Sequence, residues 1–199
     1  MEKQTPREIL SKFYADNNFG ADGGVSSASV KIQLTSWFHF YYPNFKSRNR
    51  AVLKHDIHHL VTGYSTNLWG ETEISMWEIA SGCKSYRGAF FVDVSGAMLG
   101  IPWNMWRVMK AFARGRKTKN LYHEFFTNKQ ALDMKVSELQ KHLLLDKHGK
   151  NTKPSFTDVI LFFAFAIFGT VYSFLALILL PFIIVYSIYI EIKTRIAKG

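Results

Sequence analysis

The sequence predicts an all-α protein, in which a compact helical domain is followed by a C-terminal membrane-embedded helical segment. Three observations predict this arrangement. Apolar residues recur at helical spacing in several runs before residue 153, and turn-forming residues separate those runs. A stretch of 32 residues without a charge then runs from residue 159 to residue 190. A polar hinge at residues 147–154 divides the chain, so we expect a domain at residues 1–153 and a membrane anchor at residues 154–199.

Composition restricts the class of protein further. A length of 199 residues suits one domain plus an appendage. Cys83 is the lone cysteine, which excludes an internal disulfide and is consistent with a reducing compartment. The formal charge of +10 concentrates in residues 46–54, in residues 110–119 and around the last hydrophobic run. For residues 110–119, a solvated face and attraction to anionic headgroups beside the membrane segment are both open. Nucleic acid fits poorly, because the sequence shows no pattern of a nucleic-acid-binding fold.

Near the N-terminus the pattern predicts a short helix. Thr5 caps it, Pro6 takes the first helical position and Glu8 completes a capping box. No apolar segment of the secretory type precedes it, so no signal peptide is expected. Residues 17–29 are rich in glycine, serine and aspartate and are expected to form a loop.

Aromatic side chains crowd the next segment, residues 30–42. Alternation at Val30, Ile32 and Leu34 indicates a short strand. We expect the aromatic residues to pack in a core, with a wall for the apolar chain of a ligand as the functional alternative. They are Trp37, Phe38, Phe40, Tyr41 and Tyr42.

The residues that carry chemistry lie between His55 and Glu71. His55 and His59 are four residues apart, so on a helix their rings lie on one face. Eleven residues rich in turn formers follow His59, and Glu71 then opens a second helical run that ends at Ala80. Two antiparallel helices can thus bring two imidazoles and a carboxylate to one point, with Asp56 either as a fourth ligand or as the residue that orients a histidine. This donor set suits Zn(II) or non-haem Fe(II), although histidines at this spacing are also common as surface or capped groups.

The arrangement His55-Asp56-x-x-His59, eleven residues and then Glu71 resembles the H-D-x-x-H-(x11)-E signature of the coenzyme Q biosynthesis protein 4 family. Residues within the motif also match bacterial members: Thr62, Gly63, Tyr64 and Gly70. A weaker likeness continues through residues 111–121 and around Leu139. The resemblance covers about residues 43–145.

Several properties are implied by this resemblance. The family protein is helical, binds lipid and is associated with removal of the C1 carboxylate of a polyprenylated benzoate on the route to ubiquinone. By position, His55, Asp56, His59 and Glu71 inherit the role of metal ligands. The chain departs from the family pattern because it has no organelle presequence, gains a C-terminal membrane segment and carries an extra histidine, His58. We expect His58 to be an alternative ligand or a general acid in catalysis.

Spacing also predicts the roles of residues around the motif and the positions of further helices. Glu78 lies about 10 Å along the helix axis from Glu71. That distance is too long for a shared metal, so a supporting or surface role is expected. Residues 89–106 are apolar apart from Asp93 and contain two glycines and a proline, so a buried, broken helix is expected rather than a membrane span. Further helices are expected at residues 103–113, 122–126 and 136–145.

Two shapes fit the uncharged run near the C-terminus. One straight helix of that length would measure about 48 Å, against a hydrocarbon core of about 30 Å. A tilted span kinked around Pro181 and a hairpin turning near Gly169 both remain open. Positive residues flank both ends, which favours a hairpin with both ends in the cytoplasm. The resemblance to bacterial family members implies a bacterial inner membrane as the location.

Three classes of function compete. The first is a membrane-tethered metal-dependent lyase that acts on a prenylated aromatic or quinone precursor. The second is a non-catalytic lipid-binding scaffold that gathers other quinone-biosynthesis enzymes around a structural metal. The third is a fatty-acid desaturase, since residues 55–59 also read H-x-x-H-H. Desaturase chemistry needs several such boxes, and the remaining histidines lie at no box spacing, so this class is set aside.

Overall fold

Helices form nearly all the regular structure, which confirms the predicted all-α class. The computed structural model describes residues 4–16, 22–23, 25–33 and 39–196. Within them lie eight α-helices and one two-stranded sheet. The helices are α1 (Pro6–Asp16), α2 (Lys46–Thr62), α3 (Leu68–Ser81), α4 (Arg87–Gly115), α5 (Asn128–Asp133), α6 (Val136–His142), α7 (Phe156–Leu177) and α8 (Leu180–Ile196). The strands are β1 (Ser29–Gln33) and β2 (His39–Pro43).

Local side-chain chemistry sets the ends of the helices near the site. The predicted capping box of α1 is confirmed, because Thr5 N–H donates to the Glu8 carboxylate at 3.0 Å and Glu8 N–H donates to Thr5 Oγ1 at 3.4 Å. Gly63 ends α2 with a φ of 72°, in the left-handed region that favours glycine. Asn67 caps α3 by accepting from Gly70 N–H at 2.9 Å.

The strands form an antiparallel hairpin that packs on α8. Tyr41 N–H donates to Ser187 Oγ at 3.0 Å, which ties β2 to the last helix. The strand indicated by alternation is confirmed in β1. Residues 34–38, with Trp37 and Phe38, lie outside the described residues, so the role of that aromatic segment stays a prediction.

The long helix α4 turns back on itself and holds α3 between its two halves. Asn104 has a non-helical φ of −151° and ψ of 46°, two residues after Pro102, which has no N–H to donate. In the first half, Gly100 lies so close to Thr72 that an added Cβ would stand 2.5 Å from Thr72 Cβ. In the second half, a Cβ on Gly115 would stand 2.6 Å from the Trp77 carbonyl oxygen. The predicted break in this helix is therefore confirmed.

The prediction that residues 89–106 are buried is wrong for one face. Val94 and Ala97 are fully buried against the rest of the domain. Leu99, Trp103 and Trp106 are 56%, 78% and 55% exposed. The exposed face points away from α3, since the small residues of the stretch are the ones that contact it. One side of an apolar helix thus remains uncovered.

The C-terminal apolar run begins inside the core of the domain. Residues Phe156–Phe174 form a helix long and apolar enough to cross a membrane, with a mean hydropathy of 1.7. Phe162 is nevertheless fully buried in the main core cluster. Asp158 is also buried, and it accepts from Arg116 Nη1 at 2.8 Å. The packing of the helical domain therefore continues past residue 153 into the first turns of α7.

The helix is interrupted beside Pro181 and not at Gly169. Residues 178–179 form a turn between α7 and α8. Gly169 lies within α7, where an added Cβ would stand 2.4 Å from Met98 Sδ. A turn at Gly169 is thus not what the structure has, because this glycine serves the close approach of α7 to α4.

The segment between α4 and α7 is less helical than expected. The predicted helix at residues 122–126 is one 3-10 turn, Leu121–His123, capped by Asn120. Glu124 ends it with a φ of 57°, a left-handed conformation that a helix cannot continue. The helix predicted at residues 136–145 is α6, which ends three residues early at His142.

Candidate metal site

Three predicted ligands meet where α2 faces the first turn of α3. His55 Nε2 lies 3.2 Å from His59 Nε2 and 3.3 Å from Glu71 Oε2. His59 Nε2 lies 3.2 Å from Glu71 Oε1. Side-chain exposure rises from 6% at His59 to 25% at His55 and 40% at Glu71. The cluster is therefore closed on the side of His59 and open to a ligand on the side of Glu71.

The opposite nitrogen of each imidazole has its own acceptor. His59 Nδ1 lies 3.1 Å from the Tyr64 carbonyl oxygen, and His55 Nδ1 lies 3.0 Å from Glu78 Oε1. A carbonyl oxygen only accepts, so Nδ1 of His59 carries a proton. A carboxylate at Nδ1 fixes His55 in the same way. Both Nε2 atoms are thus turned toward Glu71, which is the arrangement that supporting hydrogen bonds impose on metal-binding histidines.

The spacing of these atoms fits a small divalent ion. Bonds of about 2.0–2.1 Å to tetrahedral Zn(II) place ligand atoms about 3.3 Å apart. Here the two Nε2 atoms are 3.2 Å apart, and the two oxygens of Glu71 lie 3.3 Å from His55 Nε2 and 3.2 Å from His59 Nε2. Two imidazole nitrogens with carboxylate oxygens are donors suited to Zn(II) or Fe(II). The three residues could hold such an ion and leave a position on the open side for another ligand.

Glu78 forms a buried layer behind the three candidate ligands. Its carboxylate accepts from Nδ1 of His55, from Nδ1 of His58 and from the Tyr122 hydroxyl at 3.2 Å. His58 is fully buried, and its Nε2 accepts from Leu121 N–H at 2.9 Å. Both ring nitrogens of His58 are therefore occupied by partners within the protein. The surface role that the sequence left open for Glu78 is excluded by its complete burial.

A second group of donor atoms lies deeper and shares His55. His55, Glu78 and Asp93 each offer an atom within 4.8 Å of the others. Burial first, and then the charge of Glu78, raise the pKa of Asp93 well above its usual range. The thiol of Cys83 lies 3.7 Å from Asp93 Oδ2. The carboxylate of Glu78 already accepts from His55, His58 and Tyr122, and it is the member of this group that orients His55.

Asp56 is not part of either group of donors in the described residues. Its carboxylate instead accepts a hydrogen bond from the hydroxyl of Tyr14, on α1. Burial raises the pKa of Asp56, although His55 and that hydrogen bond oppose the shift. Asp56 as a fourth ligand therefore stays a prediction, and it would require the carboxylate to leave Tyr14.

The carboxylates and His55 shift one another's ionisation. Burial would raise the pKa of Glu71, but hydrogen bonds from His55 and His59 outweigh burial and lower it to about 2. Burial would lower the pKa of His55, but the charge of Glu78 and the hydrogen bonds with Glu71 and Glu78 raise it well above its usual value. In the metal-free protein, the two carboxylates on either side of His55 therefore favour its protonated form.

Metal binding is therefore expected to release a proton and to weaken as pH falls, since His55 must become neutral to use Nε2. Calorimetric titration with Zn(II) in two buffers of different ionisation enthalpy measures the release. In the metal-free protein, the lowered pKa of Glu71 adds to the stability of the fold. That contribution is fully present above pH 4.5, the ordinary pKa of a glutamate, and it is lost as the pH falls toward about 2. The raised pKa of His55 makes a contribution to stability that is present at low pH, and this contribution is lost as the pH rises through the folded-state pKa. In the calorimetric test, equal enthalpies of Zn(II) binding in the two buffers would show that no proton is released and would contradict a protonated His55.

Some of these residues are absent from the sequence-based prediction. Tyr14 and Tyr122 lie far along the chain from the motif, and no local pattern points to them. Asp93 does carry a signal, because it is the lone charge in an apolar run, and such a charge is retained only with partners. Glu78 is signalled by its position two turns after Glu71 on the same helix.

Comparisons with protein-family models, with curated proteins and with solved structures found no match. The resemblance to the coenzyme Q biosynthesis protein 4 family thus stays a prediction carried by the motif. The geometry of the site stands independently of that resemblance.

Proposed function

We propose that the chain is a membrane-tethered, metal-dependent lyase that removes the C1 carboxylate of a prenylated aromatic precursor of a quinone. The observation that carries the proposal is the convergence of His55, His59 and Glu71, with both histidines held by acceptors on their Nδ1 atoms. The proposed location is a bacterial inner membrane, with the helical domain in the cytoplasm and the apolar C-terminal helices in the lipid.

The open side of the site supports the proposal that a bound metal would accept a ligand from outside the protein. A structural metal is usually enclosed by four protein ligands, whereas here Glu71 is 40% exposed and three ligands converge. A substrate with a prenyl tail remains in the bilayer, so an apolar helix in the same chain places the enzyme where that substrate is. A bound divalent metal would supply a Lewis acid for the negative charge that decarboxylation leaves on the ring.

Residues of the chain would orient the ligands and line the entrance for the substrate. Glu78 and Tyr64 orient the two imidazoles, and Glu71 lines the open side, where a head group would enter. The sequence-based proposal of His58 as general acid lacks support from its position. A proton donor must reach the substrate, and His58 is fully buried with both nitrogens bonded. His58 is better placed to hold Glu78 in position.

The metal content of purified variants tests the site. The full chain is expected to carry about one Zn(II) or Fe(II), as elemental analysis measures. His59→Ala and Glu71→Ala should each lose most of that metal, because each removes one of three converging ligands. Glu73→Ala is a matched control on α3, since its carboxylate pairs with Arg107 away from the cluster. Full occupancy in Glu71→Ala would remove Glu71 from the ligand set.

The activity is tested with a prenylated 4-hydroxybenzoate that is labelled at the carboxylate. The metal-loaded chain in lipid vesicles is expected to release labelled carbon dioxide, and Glu71→Ala is expected to release none. The assay is run with and without oxygen. If no label is released in either case and the lipid still binds, the protein is the non-catalytic lipid-binding scaffold, and a lyase is excluded.

A further inference from the structure

An exposed aromatic surface lies at the end of the molecule where α3 begins and α4 turns back. We call it the tryptophan tip. Its members are Leu68, Trp69, Leu99, Trp103, Met105 and Trp106. Their exposed fractions run from 37% at Trp69 to 78% at Trp103. Large apolar side chains in one patch at such exposure mark a surface that another molecule covers.

Helix packing brings these residues together. Gly100 is in close contact with Thr72, so the next turn of α4 and the first turn of α3 emerge at the same end. Arg107 Nε donates to Glu73 at 3.0 Å and holds the returning half of α4 beside α3. The tip is therefore a rigid part of the fold, and Trp69 stands two residues before the candidate ligand Glu71.

We propose that the tryptophan tip is a membrane-docking surface that inserts into the boundary between lipid headgroups and acyl chains. Indole rings favour that boundary because they are apolar but carry an N–H donor. Lys110 Nζ lies 5.7 Å from the centroid of the Trp106 ring, one turn behind the apolar residues, where anionic headgroups would meet it.

The position of α7 beside the tip favours lipid as the molecule that covers the tip. The first half of α4, which carries Leu99 of the tip, packs on α7, and the two helices line an open apolar groove of about 330 Å³ with Met98, Ile101, Pro102 and Phe174 among its walls. Phe174 is 68% exposed on α7 and Leu99 is 56% exposed on α4. A bilayer that covers α7 would therefore continue over the tip. This inference rests on the proposal that α7 lies in lipid, and not on the identity of the metal.

Fluorescence quenching in vesicles tests the docking surface. The full chain is reconstituted in phosphatidylcholine and phosphatidylglycerol vesicles whose acyl chains are brominated near the headgroup. Wild-type emission is expected to be quenched by the brominated lipid. The Trp103→Phe/Trp106→Phe double variant is expected to lose the larger part of that quenching, because it removes the two most exposed indoles of the tip. Aqueous iodide should quench the wild type weakly.

Two reporter variants separate the possible failures. Phe125→Trp, made in the Trp103→Phe/Trp106→Phe background, places an indole at a position that is 50% exposed near the opposite end of α3, and the added emission should respond to iodide and not to lipid. Phe174→Trp places one on α7 and should respond to lipid. If position 174 is quenched by lipid while the double variant quenches as the wild type does, the tip does not dock. If neither the tip nor position 174 responds to lipid, the membrane location itself fails and the docking surface with it.

Discussion

Replacing Glu78 with alanine is expected to destabilise the full chain by about 3–5 kcal/mol, the cost of removing one partner from a buried ion pair. The change would leave His58 and Tyr122 with unpaired polar groups in the core, where both are fully buried. Glu78→Gln keeps the volume but cannot hold two imidazole N–H groups as a carboxylate does. It is therefore expected to lower Zn(II) affinity about 10–100-fold.

Unfolding in detergent micelles, followed by circular dichroism, measures the first effect, and competition with a chelating dye measures the second. Glu73→Gln is the matched control on the same helix. Its partner Arg107 is 48% exposed, so water can replace the lost pairing and the effects should be smaller. Wild-type Zn(II) affinity in Glu78→Gln would show that Glu78 does not orient His55.

Ending the chain after Lys153 is expected to leave a domain that does not fold stably, although the sequence alone favours a soluble domain up to that residue. The cut removes Phe162, which is fully buried against Phe112 with their ring centroids 5.8 Å apart. Loss of one such phenylalanine alone costs about 3–5 kcal/mol. It also leaves Arg116 without Asp158, its partner at 2.8 Å.

A second truncation isolates the contribution of α7. A chain that ends after Leu177 keeps α7 and loses α8, whose contacts in the described residues are mainly with β2. It is expected to unfold cooperatively in micelles and to retain metal, as thermal denaturation and elemental analysis would show. Cooperative unfolding of the shorter chain in plain buffer would show that α7 is only appended to the domain.

The sequence predicts the helices and the convergence of three side chains better than it predicts their surroundings. Spacing alone places His55 and His59 on one face of a helix, and the structure has them there with Glu71 opposite. The shared face of the two histidines is predictable because it depends on local helix geometry. Whether Asp56 faces the cluster depends on Tyr14, more than forty residues away, and no local pattern encodes that contact.

Burial is the property that the sequence states least clearly. The apolar run at residues 89–106 is compatible with a core helix or with a lipid-facing one, because both need the same residues. The structure shows that the helix has a buried face, which includes Ala97, and an exposed face, which includes Trp103. In the same way, the uncharged C-terminal run does not reveal that Phe162 belongs to the core. Whether a given face of a helix is covered by the core or exposed depends on the tertiary structure, and composition does not reveal it.

The folding back of α4 around α3 has a consequence for how this chain can vary over evolution. With one half of α4 against Thr72 and the other against Trp77, α3 has little surface on which substitutions are neutral. A larger residue at Gly100 or Gly115 would separate the helices that align Glu71 and Glu78, and a smaller one at Trp77 would leave a void. In a saturation-mutagenesis library selected for folding, α3 should accept the fewest substitutions, and the outward face of α8 should accept many apolar exchanges.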